Sequence, residues 1–328
     1  MSEPSVSEPS ILFLDAAAVR ARLGHAACID AVRDAMMALS AGTTRQLLRT
    51  MIPMGEARTF ALMPGALGDN DYFGAKLIAV FPAVGVAGRR AHRGVVVLFE
   101  PVHGYPVCLA DAEQVTLIRT SAASAVATDA LARADAHRLV ILGTGAQAAE
   151  HVRAIAKVRP LTSVILWGRA FDTAQALAAD IAAETGLAVS AMADAERAVS
   201  EADIICTVTG ASRPVLFGRW VRPGTHVNVV GSSGPGPVEI DHDLIVASRY
   251  IADSRSSVVA QGAEFLVAKA AGLIDDEHIV AEIGEVLSGA KIGRRDDREI
   301  TIYKSLGHAV QDLAAVALLY RQSSQSPA

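Results

Sequence analysis

The chain has 328 residues, about twice the ~150 typical of one domain, so two domains, or one with a large appendage, are expected. A composition of 51% hydrophobic and 20% charged residues excludes a disordered chain, and 26 Gly with 13 Pro exclude collagen-like or low-complexity architectures. With 30 Lys and Arg against 35 Asp and Glu the formal charge is −5 and the cations are scattered, which argues against a nucleic-acid partner.

Residues 1–10 are polar and carry neither the basic nor the apolar segment of a secretion signal, and no run approaches the ~18 apolar residues of a membrane span. A soluble cytoplasmic protein without a membrane partner is expected. From Asp15 to Ala41 the apolar positions Val19, Leu23, Ala27, Val32, Met36 and Leu39 fall at helical spacing and end at Gly42, predicting one or two amphipathic helices. From Leu47 to Leu109 short runs alternate with Gly and Pro. Strands are predicted at Thr59–Met63, Gly74–Phe81, Val95–Glu100 and Pro106–Ala110, with Pro101–Gly104 as a hairpin connection. A helix followed by short strands reads as an α+β domain.

Near Thr120 the texture changes. An Ala-rich helix, Ser121–Ala134, leads into strands at Leu139–Leu142, Val164–Trp167, Leu187–Met192, Asp203–Val208 and Thr225–Val230. A helix from Gln147 ends before Pro160, and another follows Asp172 and closes at Gly186. This cadence is that of an α/β, doubly wound parallel sheet. A strand at Ile300–Tyr303 and a helix at Ser305–Tyr320 end the chain, and that helix is expected to pack back on the first domain, making it discontinuous. Cys28, Cys108 and Cys206 lack any ligand spacing, so they read as reduced core thiols and no metal site is expected. His92, His226, His242 and His308 likewise stand in no metal or nucleophile motif.

After the strand Leu139–Leu142 comes Gly143-Thr144-Gly145-Ala146-Gln147-Ala148, which fits GxGxxG/A at the strand-to-helix junction of a dinucleotide-binding fold. Gly143 permits the tight turn, Gly145 lets backbone N–H groups approach a pyrophosphate, and Ala148 keeps the helix near the sheet. At the end of the next strand stand Gly168 and Arg169, with no carboxylate before Asp172. A guanidinium there suits a 2′-phosphate, so NADPH is favoured over NADH; a solvated surface charge is the alternative for Arg169. Thr207 and Thr209 at the end of a later strand, and Lys304, are candidates to reach the cofactor, with ordinary strand-end packing as their alternative. In the first domain three cations sit among apolar or small residues: Arg49, Lys76 and Arg119. Each alone reads equally as an edge charge or ion-pair partner, but together they suggest a clamp for a small carboxylate.

Five linked segments resemble the ornithine cyclodeaminase/mu-crystallin family: Gly74-Ala75-Lys76, the run Ile118 to Ala123, the loop Gly143 to Gln147, Val227-Asn228-Val229-Val230-Gly231, and Tyr303-Lys304-Ser305-Leu306-Gly307. The resemblance covers about Ser40 to Leu319. It implies a Rossmann domain, here 121–303, inserted in a discontinuous substrate-binding and dimerisation domain, here 1–120 with 304–328, and a homodimer. It also implies that Arg49, Lys76 and Arg119 bind a substrate carboxylate. Cyclodeaminases of the family carry a catalytic Asp two residues past the Gly of Asn-x-x-Gly; the matching position here is Ser233. A hydroxyl is a poor base for expelling ammonia at pH 7, whereas it can hydrogen-bond a ready-made cyclic imine.

The segments Val230–Glu239, Ile251–Arg255, Gln261–Phe265 and Tyr303–His308 are most similar to bacterial Δ1-pyrroline-2-carboxylate reductases. The resemblance implies reduction of Δ1-pyrroline-2-carboxylate to L-proline, and of its six-membered homologue to L-pipecolate. In such a reaction Ser233 would hydrogen-bond the ring nitrogen, directly or through water, and Lys76 or solvent would supply its proton. A cyclodeaminase with bound NAD, an alanine dehydrogenase-like enzyme and a non-catalytic NADPH-binding protein remain as alternatives.

Overall fold

The computed structural model describes residues 10–56, 58–82 and 90–325. Nearly all of the polar N-terminal stretch read above, and the side chain of His92, lie outside the described residues. The chain divides into two compact units, one made of residues 1–31, 42–119 and 308–328, the other of 32–41 and 120–307.

The first unit opens with β1 (Leu12–Leu14) and α1 (Ala16–Arg22), and α2 (His25–Ser40) begins in it and ends in the second. The predicted helical stretch is therefore two helices. Asp15 caps the first by accepting from the Ala18 N–H at 2.8 Å, and Gly24 separates it from the second. Next come β2 (Arg45–Gln46), β3 (Thr50–Pro53), β4 (Thr59–Ala66), β5 (Phe73–Pro82), β6 (Arg90–Phe99) and β7 (Pro106–Asp111), and then α3 (Ala112–Leu131), whose residues from Thr120 on belong to the second unit. The strands form one sheet in the order β1-β7-β6-β5-β4-β2, with β3 also on β4; all pairs are antiparallel except β1 with β7. Helix α3 starts nine residues before the predicted Ser121, because Asp111 caps it from the end of β7 by accepting the Gln114 N–H at 2.7 Å. Arg119 is thus a helical residue.

The second unit continues with β8 (Arg138–Leu142), α4 (Ala146–Ile155), β9 (Ser163–Trp167), α5 (Phe171–Thr185), β10 (Val189–Ala191), α6 (Ala195–Val199), β11 (Ile204–Thr207) and β12 (His226–Val229). Asp172 lies in the first turn of α5 rather than ahead of it, and Gly186 closes that helix at φ +71°. Between 231 and 299, where the sequence alone resolves no individual element, lie α7 (His242–Ala247), β13 (Ser248–Ala252), α8 (Arg255–Gln261), α9 (Ala263–Ala270), β14 (Ile279–Glu282) and α10 (Ile283–Leu287), followed by β15 (Ile300–Lys304). The eight strands run parallel in the order β10-β9-β8-β11-β12-β15-β13-β14, the doubly wound sheet expected. Its core is a cluster that includes Val140, Ile205, Val227, Tyr250, Phe265 and Ile302.

The last helix, α11 (Ala309–Gln325), belongs to the first unit and packs on β4 to β7. It starts four residues later than predicted, since Gly307 at φ +82° interrupts the chain and the Leu306 and Gly307 N–H groups are taken by the Asp253 carboxylate. Bare backbone lets it lie close to the sheet: a Cβ on Gly65 would stand 3.3 Å from the Ala309 Cβ, and one on Gly74 3.2 Å from Leu313 Cδ2. Among the described residues no helix is long and apolar enough to cross a membrane, and no group of three or more His, Cys, Asp or Glu side chains could hold a metal ion.

Asp203 staples the N-terminal edge of the second sheet. Its buried carboxylate accepts from the backbone of His137 and Arg138 at 3.1 and 3.0 Å and pairs with Arg133 and Arg222. Burial alone would raise its pKa, but these donors pull it down to about 2. A depressed carboxyl stabilises the fold above its unfolded value near 3.8 and ceases to do so as pH falls through about 2. Asp203→Asn is therefore expected to lose about 2 kcal/mol at pH 7 in denaturant titrations, with the gap to the parent closing as the medium is acidified. A gap that stays constant with pH would contradict this electrostatic role.

Candidate functional site

In the first unit a charged cluster is built where sheet meets helix. Lys76 lies mid-strand on β5, opposite Met63 and Val96, and is 2% exposed. An ammonium in that place needs partners. Its Nζ donates to Thr116 Oγ1 at 2.5 Å and to Asp312 Oδ1 at 3.1 Å. Thr116 and Arg119 share one face of α3, being three residues apart. Arg119 donates through Nε to the same Asp312 oxygen at 2.8 Å and through Nη1 to Gln311 Oε1 at 2.9 Å. One fully buried carboxylate thus holds two buried cations, and its other oxygen, Oδ2, has no hydrogen-bond partner among the described residues.

Burial pushes the Lys76 ammonium down to about 8, with the Asp312 charge opposing that fall and the positive Arg119 and Arg49 adding to it. Burial would raise Asp312 in turn, but the two cations keep its carboxyl below the ordinary carboxylate range. Arg49, half-buried between β2 and β3, is close enough to Lys76 for its charge to be felt. The three expected cations are thus brought into one electrostatic neighbourhood. The two buried cations Lys76 and Arg119 share the single Asp312 carboxylate, an excess of positive charge suited to an anion. Asp312, Gln311 and Thr116 are absent from the sequence reading. A signal was available, because Gln311 and Asp312 are the only polar residues from Ala309 to Leu319.

The second unit carries the glycine turn. Gly143 adopts φ +133°, and a Cβ there would come within 2.7 Å of the Val208 carbonyl oxygen. Only glycine fits that turn. Gly145 occupies the N-cap of α4, has no atom within 4 Å of its would-be Cβ, and so leaves open space in front of the helix N-terminus. Ala146 and Gln147 begin that helix, and the buried Ala148 faces the sheet. A cavity of about 450 Å³ is lined by Gly143, Thr144 and Gly145, by Trp167, Gly168 and Arg169, and by residues 208–215, which include Thr209. Its size, glycine edge and helix N-terminus fit a dinucleotide.

Thr207 and Lys304 do not line that cavity. Both are fully buried and anchor loops instead. Thr207 Oγ1 donates to Glu239 Oε2 at 2.9 Å, and the Gly231 N–H donates to the same oxygen at 2.6 Å. Thr209 donates to Glu239 Oε1 from its backbone at 2.6 Å and from its hydroxyl at 2.8 Å. Lys304 Nζ donates to the Ser232 carbonyl at 2.7 Å, the Ser232 hydroxyl at 2.6 Å and Glu264 at 2.8 Å. These bonds fix the segment from Gly231 to Ser232, next to which Ser233 stands half-buried. Lys304 ends β15, between β12 and β13, where neighbouring strands surround it. Glu239 and Glu264 carry this network and were not singled out in the sequence. Of the four histidines, His226 is buried and pushed down to about 3 by that burial, hence neutral, while buried His308 pairs with Gln46 at 2.6 Å.

Known proteins resemble the chain along nearly its whole length. The model of the ornithine cyclodeaminase/mu-crystallin family matches residues 10–326. A Δ1-pyrroline-2-carboxylate reductase of Bacillus cereus is 36% identical over 291 residues, 88% of this chain and 89% of that protein. Among solved structures, Thermococcus litoralis Δ1-pyrroline-2-carboxylate reductase in complex with NADH and L-proline superposes with a TM-score of 0.91 at 30% identity, covering 96% of this chain and 98% of that one. An archaeal alanine dehydrogenase dimer with bound NAD gives 0.89 at 28% identity, over 97% and 98%. A match that runs through the cation cluster, the glycine turn and the loop of Ser233 alike leaves one assignment: the chain belongs to the ornithine cyclodeaminase/mu-crystallin family.

Proposed function

We propose that the protein is an NAD(P)H-dependent cyclic-ketimine reductase that converts Δ1-pyrroline-2-carboxylate to L-proline and accepts the six-membered homologue. The observation that carries this reading is the buried cluster of Lys76 and Arg119 on Asp312, with Arg49 beside it, in a chain 36% identical to a reductase of that name. A guanidinium offers two parallel donors to a carboxylate and an ammonium adds a third, so Arg49, Lys76 and Arg119 hold the acid group of the substrate. Positioning of that kind supplies much of the rate.

A reduced nicotinamide, held by the Gly143 to Gln147 turn with Arg169 and Thr209, supplies hydride for the imine carbon when bound. Ser233 hydrogen-bonds the ring nitrogen. Lys76, whose pKa of about 8 leaves it charged at neutral pH yet able to part with a proton, is the donor to that nitrogen. A hydroxyl at 233 in place of a carboxylate disfavours loss of ammonia, which sets this reading ahead of a cyclodeaminase. Arg169 favours NADPH. The family's NAD-bound structures keep NADH as a second cofactor.

The chain is proposed to work as a homodimer. Leu47, Leu48, Met51, Ile52 and Met54, on and beside β3, are all at least 49% exposed, an apolar strip a monomer would leave in water, and the alanine dehydrogenase of similar fold is a dimer. Three free, buried thiols accord with a reducing cytoplasm.

Assaying NADPH oxidation with Δ1-pyrroline-2-carboxylate, Δ1-piperideine-2-carboxylate, and pyruvate with methylamine tests the activity. The cyclic substrates should turn over and the linear imine poorly, while ammonia release from ornithine without added reductant would favour the lyase instead. Arg119→Ala should lower kcat/KM roughly 100-fold with the fold retained by circular dichroism. Deprotonation of Lys76 predicts that kcat/KM declines as pH rises through about 8. Asp312→Asn removes the negative neighbour that favours the charged lysine, so this limb should move to lower pH; an unmoved limb would dissociate it from Lys76.

A further inference from the structure

We propose that Arg213 is a second cation, facing the same cavity as Arg169, that selects a cofactor bearing a 2′-phosphate; this rests on the reading of the second unit as the NAD(P)-binding one. Two arginines line the 450 Å³ cavity, from two different turns, and no carboxylate lines it. Among the described residues neither guanidinium has an ion pair or a hydrogen bond. A site for an unphosphorylated ribose carries an acidic reader after its second strand, and this cavity has the opposite sign.

Both turns are held by the protein's own backbone. A Cβ on Gly168 would lie 2.5 Å from Thr144 Cγ2, so the turn that bears Arg169 rests against the glycine turn. The loop bearing Arg213 is pinned at both ends by one residue. Glu239 accepts from Thr209 through its carboxylate, and its backbone carbonyl accepts from the Val215 and Leu216 N–H groups at 2.8 and 3.1 Å. Within the loop the Ala211 N–H donates to Thr209 Oγ1 at 3.1 Å, and Pro214 restricts the backbone of Arg213 to extended conformations. Binding an anion therefore orders one side chain of Arg213 and no loop. A phosphate monoester carries a charge of about −1.5 to −2 near neutral pH, more than a single guanidinium neutralises. Two arginines match it, and both are exposed, so the attraction is weakened by salt.

Equilibrium binding separates this role from catalysis. NADPH and NADH are titrated by nicotinamide fluorescence, and 2′,5′-ADP and 5′-ADP by calorimetry, into the parent, Arg213→Ala and Arg169→Ala, with thermal unfolding as the check that each variant is folded. Arg213→Ala should weaken NADPH and 2′,5′-ADP roughly tenfold and NADH and 5′-ADP by less than about twofold, with the difference shrinking at high salt. Equal weakening of both cofactors, as adenine stacking or pyrophosphate contact would give, or no weakening, overturns the assignment. A parent that prefers NADPH, with the preference lost only in Arg169→Ala, leaves the cofactor reading standing and removes Arg213. A parent that binds neither nucleotide removes both.

Discussion

The constraint on which the first unit depends is that two cations are kept charged without water. Lys76 and Arg119 are 2% and 4% exposed, and an isolated charge so buried would neutralise or unfold its surroundings. Asp312 prevents that by accepting from both with one oxygen. Losing one partner of such a buried pair costs about 3–5 kcal/mol, so the cluster sets where β5, α3 and α11 must lie relative to one another. The glycines that bring α11 close to the sheet serve the same end. Lys76 is the pivot of the arrangement, because burial and two positive neighbours depress its pKa while a single carboxylate opposes that fall.

A comparable economy appears in the second unit, where two glutamates stand in for a scaffold. Glu239 gathers donors from Thr207, Thr209 and Gly231, and burial pushes its carboxyl above the ordinary range in spite of them. Glu264 takes Lys304, the Ser232 hydroxyl and the Glu239 N–H. The loops ending β11 and β12 are therefore tied down by hydrogen bonds to two buried carboxyl groups. That suits loops that must present Thr209 and Ser233 in fixed places.

What could be read beforehand follows from the range of each cause. The parallel sheet was legible because continuous apolar runs such as Leu139–Leu142 and the glycine turn are local patterns, and the final helix showed its stripe of Val310, Leu313 and Ala317. Element ends were not, since the start of α3 depends on the Asp111 cap and that of α11 on Asp253, 54 residues away from Gly307. The same distance effect governs the sites. Arg49, Lys76 and Arg119 stand out as charges in apolar settings, whereas Asp312 gains its meaning only when α11 meets β5, far along the chain. Thr207 and Lys304 look like cofactor ligands from their strand-end positions alone, and the glutamates that engage them lie 32 and 40 residues distant.

The central claim is that the cation cluster recognises the acid group of a cyclic imine, and comparing two substrates that differ only in that group tests it most directly. The steady-state kcat/KM with Δ1-pyrroline-2-carboxylate and with Δ1-pyrroline, which lacks the carboxylate, should differ at least about 100-fold in favour of the first, the loss coming from two or more charge-assisted bonds. Equal values for the two imines would show that the buried cations serve the fold alone.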